Sequence, residues 1–135
     1  MLIKMDGETD LETISELLAD AAFREGVFHL VEGELVFTCE IVRAVPDKAE
    51  EYWMGPVHRT RIPWIKCLME FVGVVRCQVR ELEEPSGETQ PLLTWERQGA
   101  HYVIHLRTYG RMELLLTLPH LSGRCEDVGQ LIWQR

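Results

Sequence analysis

No run of apolar residues in this chain approaches the ~20 that a membrane-spanning helix needs. The opening MLIKMDGETD also lacks the charged-then-apolar pattern of a secretory leader. Basic residues are scarce: 14 Lys and Arg stand against 22 Asp and Glu, for a net charge of −8. That balance argues against generic attraction to nucleic-acid phosphates or anionic membranes, and it favours solubility. None of the four cysteines, Cys39, Cys67, Cys77 and Cys125, belongs to a C-x-x-C pair, so a zinc ribbon or thioredoxin-type site has no local signature. The G-x-x-x-x-G-K-[ST] phosphate loop, the G-x-G-x-x-G fingerprint, the G-x-S-x-G elbow and H-E-x-x-H are all missing. There is no internal repeat and no low-complexity segment. The expectation is a cytoplasmic protein with no metal, no cofactor and no nucleic-acid or membrane partner.

What is present describes one domain, residues 1–135, large enough to bury a core without staples. After Asp6 and Gly7, the residues Leu11, Ile14, Leu17, Leu18 and Ala21 recur at helical spacing, with Glu12, Glu16, Asp20 and Glu25 opposite. Asp10 is placed to cap this helix and Gly26 to stop it. Val27–Val31 and Leu35–Val45 read as the arms of a hairpin turning at Glu32-Gly33-Glu34, with Leu35, Phe37, Cys39 and Ile41 on one face. Trp64–Leu82 is too long for one strand. Gly73 near its middle predicts a sharp bend or two strands, with Ile65, Cys67, Met69 and Phe71 on one face.

A polar turn follows at Glu83–Gln90, then a short strand over Leu92–Glu96. Ala100–Tyr109 and Arg111–Leu118 form a second hairpin about Tyr109-Gly110. Arg124–Leu131 reads as a short closing helix weakened by Gly123 and Gly129. These elements predict an α+β domain: a curved antiparallel sheet of about six to eight strands, one N-terminal helix and a short C-terminal helix. Bending at Gly73 would turn the sheet into a partly open barrel.

Candidate chemistry is thin. On a strand, His101 and His105 share a face but lie ~13 Å apart, too far to chelate one ion. The adjacent pairs Glu50–Glu51 and Glu83–Glu84 read as solvated surface. Pro46–Pro63 is the least regular stretch, with a helical turn expected within Asp47–Trp53. Long loops on rigid sheets are where sites are built. This one gathers His58, Arg59 and Arg61 in an otherwise acidic chain, flanked by Tyr52, Trp53 and Trp64. Arginine forks beside flat aromatic surface suit an anionic group or a partner surface.

Three segments carry a resemblance: IKMDGETDLETISELLADA; WIKCLMEFVGVVRCQVREL with the following PLLTWE; and YGRMELLLTLPHLSGRCEDVGQLIW. Together they resemble a bacterial domain-of-unknown-function family found mainly in alphaproteobacteria. The resemblance implies a small single-domain bacterial protein and brings no activity, cofactor or catalytic residue.

The function expected is therefore a non-catalytic binding or scaffold module with a protein partner or a second copy of itself, such as a homodimer. The alternative is a small-ligand or anion-binding protein, or an enzyme, with its site around residues 46–64. A first prediction concerns redox state. Cysteines embedded in apolar strands of a cytoplasmic protein stay reduced, so thiol titration of denatured protein shielded from air should find four free thiols.

Overall fold

The apolar alternation seen in the two longest strand-like runs forms the floor of the core. In the computed structural model, which describes residues 1–82, 91–108 and 111–133, β1 (Leu2–Met5) leads into α1 (Glu8–Leu17), then β2 (Ala22–Val31) and β3 (Glu34–Ala44). A 3-10 turn at Pro46–Lys48 precedes β4 (Glu50–Met54), β5 (Val57–Arg61), β6 (Trp64–Val72) and β7 (Arg76–Glu81). The chain continues through β8 (Leu93–Gln98), β9 (His101–Arg107), β10 (Met112–Leu118) and β11 (Gly123–Ile132). All pairings are antiparallel and give two main sheets, ordered β1-β11-β6-β3-β2 and β7-β10-β9-β8, plus the separate β4-β5 hairpin.

Phe37, Cys39 and Ile41 of β3 and Cys67, Met69 and Phe71 of β6 are buried, as their spacing predicts. They meet Ile104, Leu106, Leu116 and Leu118 of the second sheet in one core. The chain crosses between the sheets at Gly73, whose φ of 81° suits glycine. There Gly73 N and Val74 N both donate to the Leu35 carbonyl at 3.0 Å. The β2–β3 turn is a two-residue one, with Glu32 at φ 50° and Gly33 at φ 82°, the left-handed pair that hairpin twist requires.

The helix forms where expected but is shorter, because residues 22–31 extend as β2 instead. Asp10 caps it from within the first turn, accepting from Asp6 N at 3.1 Å and Gly7 N at 3.2 Å. Leu11, Ile14 and Leu18 are fully buried, whereas Leu17 is only half-buried. The helix closes one side of the two-sheet stack, packing on β1 and β8, with Ser15 Oγ donating to the Leu93 carbonyl at 2.9 Å. Among the described residues, no helix covers the opposite side, between edge strands β2 and β7. Phe28 and Leu30 lie opposite Phe37 and Leu35, and Val79 lies opposite Leu114. They therefore face the core side, yet Leu30 stays 74% and Val79 61% exposed.

Three expectations are corrected. The C-terminal helix is absent: residues 123–132 form β11, inserted between β1 and β6. Local propensity lost to two long-range ladders. Gly123 suits this insertion because a Cβ there would lie 1.8 Å from the Glu70 carbonyl oxygen, on a backbone at φ 153°. Among the described residues the strand count is eleven rather than six to eight, spread over separate sheets that do not close into a barrel. Pro46–Pro63 is not a loop but mostly a hairpin, and the helical turn expected within Asp47–Trp53 is a short 3-10 turn at Pro46–Lys48, the rest of that range being β4. The expected turns at Glu83–Gln90 and Tyr109-Gly110 lie outside the described residues.

Ile14→Ala should lower unfolding free energy by about 2–5 kcal/mol. Leu17→Ala should cost clearly less, since its side chain is part-solvated. Denaturant midpoints of both variants against the parent check the face assignment.

Candidate functional site

Three groups of polar or reactive side chains are candidates: the β4–β5 hairpin, an ion pair at one end of the core, and a histidine between carboxylates on the second sheet.

Every residue of β4 and β5 is exposed. The hairpin turns at Gly55-Pro56, with Gly55 at φ 61°, and its root is tied by Val45 N donating to the Pro63 carbonyl at 2.9 Å. Among the described residues, no other strand or helix packs on this arm beyond slight contact. Strand pairing brings the expected residues together: Tyr52 faces Arg59, Trp53 faces His58 and Glu50 faces Arg61. On one face the Trp53 and His58 rings lie 4.9 Å apart, and His58 Nε2 is 3.4 Å from Glu51 Oε2. On the other, Arg61 donates to Glu50 at 2.9 Å, and its guanidinium carbon lies 5.9 Å from the Tyr52 ring and 4.8 Å from the Trp133 ring.

The arm's tip carries Trp53, 68% exposed, beside Met54 at 58% and Val57 at 47%. Trp64 is not part of this surface. It sits at the start of β6, half-buried, and with Ala22, Arg24, Val42 and Ile132 it lines a separate hollow of about 270 Å³.

The second group escaped sequence reasoning because β11 was read as a helix. As a strand, it places Asp127 beside Cys67 on the core side of the sheet. Arg43 donates to Asp127 through Nε at 3.0 Å and Nη2 at 2.7 Å, and the Cys67 thiol lies 2.9 Å from Asp127 Oδ1. Burial pushes the Asp127 carboxyl up, but the hydrogen bonds from Arg43 and Cys67 outweigh it and hold the group below its ordinary range. Cys67 is pushed up by its hydrogen bond with Cys125, by burial and by Asp127, while the same thiol contact lowers Cys125. Burial, with a contribution from Cys125, raises Cys39 to about 12. Cys39, Cys67 and Cys125 are all but inaccessible to solvent. Buried thiols in such surroundings are inert packing groups. Cys77, expected to be buried, is exposed on edge strand β7.

On the second sheet Glu113 is the buried charged residue. It is bonded by Arg80 and lies 3.2 Å from His105 Nδ1, while His105 Nε2 is 3.4 Å from Glu96. His105 is thus held between two acids on its strand, and His101 stays exposed. Both histidine nitrogens face carboxylates, so neither is open to a substrate proton. Among the described residues no group of three or more His, Cys, Asp or Glu side chains could hold a metal ion. No helix is long and apolar enough to cross a membrane. Comparison with protein-family models, curated proteins and solved structures gives no match.

Because the folded Asp127 pKa is lowered, its stabilisation is complete above the unfolded carboxyl value of ~3.9 and is lost as pH falls through the lower folded value. Asp127→Asn should therefore flatten the acid limb of a stability–pH curve measured by denaturant unfolding. Arg43→Met, which leaves the carboxylate to the Met1 α-ammonium at 3.6 Å and the Cys67 thiol, should cost about 1.5–3 kcal/mol near neutral pH.

Proposed function

We propose that this domain is a non-catalytic binding module that engages a protein partner through the β4–β5 arm. The observation that carries this reading is the fully exposed hairpin with Trp53, Met54 and Val57 at its tip. An isolated two-stranded hairpin is marginal in water, and an exposed tryptophan on one face with a tyrosine opposite arginine on the other supplies the residue types enriched in binding hot spots. Of the reactive groups elsewhere, the core thiols are buried and His105 is held between acids.

The test is a photoreactive residue at position 53, with position 12 on the exposed helix face as control. Defined protein adducts from 53 and not from 12 are expected. Equal adducts from both, or none from 53, would overturn the reading.

A second reading, binding of a small anionic ligand, is favoured by the hollow at the arm's root. There Arg24, with no ion-pair partner among the described residues, borders Trp64 and Ile132. Saturable binding of phenylacetate, lost in Arg24→Ala, would support it.

A further inference from the structure

We propose that the arm's partner is a second copy of this chain, and that β4–β5 of each copy docks on the outer face and free edge of β2 in the other. This rests on the arm being the binding element and goes further by naming its target.

The arm's own charges are nearly all satisfied. Glu50 pairs with Arg61 and Glu51 with His58. Arg59, opposite Tyr52, has no carboxylate partner among the described residues. A guanidinium held beside exposed apolar surface calls for an acid on whatever covers it.

The first sheet carries the matching deficit. An extra residue, Arg24, bulges β2 between Phe23 and Glu25 and sets Glu25 directly across from Glu40. Like charges directly opposite on a sheet destabilise it. Lys66 relieves Glu40 at 3.3 Å, which leaves Glu25 without a cation among the described residues. The two carboxylates border a shallow hollow of about 240 Å³ floored by Val27, Thr38 and Leu68. That floor suits an apolar stem, and the rim suits a guanidinium.

The adjoining edge is also uncovered. β2 ends its sheet, and its second half, Gly26–Val31, contains no proline, no lysine and no charged side chain other than His29 when protonated. Val27, Leu30 and Val31 are exposed along it. Proteins protect such edges or use them for pairing. Both halves of the complement thus lie on one chain: an apolar arm with a spare cation, and an apolar edge with a spare anion. Reciprocal docking about a two-fold axis satisfies both and closes the assembly at a dimer.

Sedimentation velocity from about 1 to 200 µM protein provides the test, because reversing one charge of an interface pair repels the partner and reversing both restores attraction. The parent should be a dimer in the upper part of that range. Arg59→Glu and Glu25→Arg should each weaken dimerisation at least about tenfold, and the double variant should recover most of it. Both residues are exposed, and unchanged thermal melts confirm that each variant is folded.

A parent that stays monomeric throughout overturns the proposal. So do single reversals without effect, or a double variant that remains monomeric. The outcomes separate this inference from the arm reading. A monomeric parent that still gives position 53 adducts with another protein removes only the second-copy partner. A monomer with no such adducts removes both.

Discussion

Nine residues of β6 hold this fold together. Their backbone is paired along both sides, with β3 from Ala44 to Val36 and with β11 from Ile132 to Gly123. Their inward side chains Cys67, Met69 and Phe71 are fully buried. Immediately after β6, Gly73 turns the chain into the second sheet, so the strand that centres one layer also positions the other. The Asp127–Arg43–Cys67 contacts close the same ladders at one end, tying β11, β3 and β6 through side chains where the core meets solvent. A strand with that many obligations leaves little room for chemistry on its inner face, and the thiols there serve packing.

Against this frame the periphery is uneven. The β1 and β8 edges are bridged by α1, whose apolar face completes the core. Among the described residues nothing comparable bridges the β2 and β7 edges, and side chains that face the core side, such as Leu30 and Val79, are exposed. The arm leaves the first sheet between β3 and β6, so its root is anchored in strands laddered on both sides, while its own strands touch the described residues beyond the arm chiefly through Arg61 on Trp133. A rigid root with an unsupported apolar tip suits a contact element: orientation comes from the sheet, and the tip's surface stays available. The ordering of the arm then belongs to the complex rather than to the isolated chain.

How far the sequence foretold this follows from what each segment touches. Phe37, Cys39 and Ile41, and Cys67, Met69 and Phe71, alternate because each strand has one face in the core, so they could be read locally. Residues 123–132 do not alternate: Gly123 and Gly129 interrupt them, Glu126 and Asp127 stand side by side, and their strand state depends on β1 and β6, far away in the chain. With β11 taken as a helix, the inward position of Asp127 beside Cys67 was invisible. β4 and β5 bury nothing, so they carry no core pattern. Only Gly55-Pro56 marks the turn, and the segment passed for a loop. Charge and aromatic content are the signals its site residues carry in the sequence. The fold gathers Tyr52, Trp53, His58, Arg59 and Arg61 into one hairpin, while Trp64 belongs to the sheet because strand β6 begins at that residue.

The central claim, that the arm has little support from the described residues of its own chain and gains it from a second copy, is tested most directly by amide hydrogen exchange at two protein concentrations. At about 1 µM the amides of β4 and β5 should exchange nearly as fast as in an unfolded chain, while those of β6 stay strongly protected. At about 200 µM, the arm and the outer edge of β2 should become protected together, with β6 unchanged. Equal, strong protection of the arm at both concentrations would mean that the chain itself holds it. Equal, weak protection at both would mean that no second copy does.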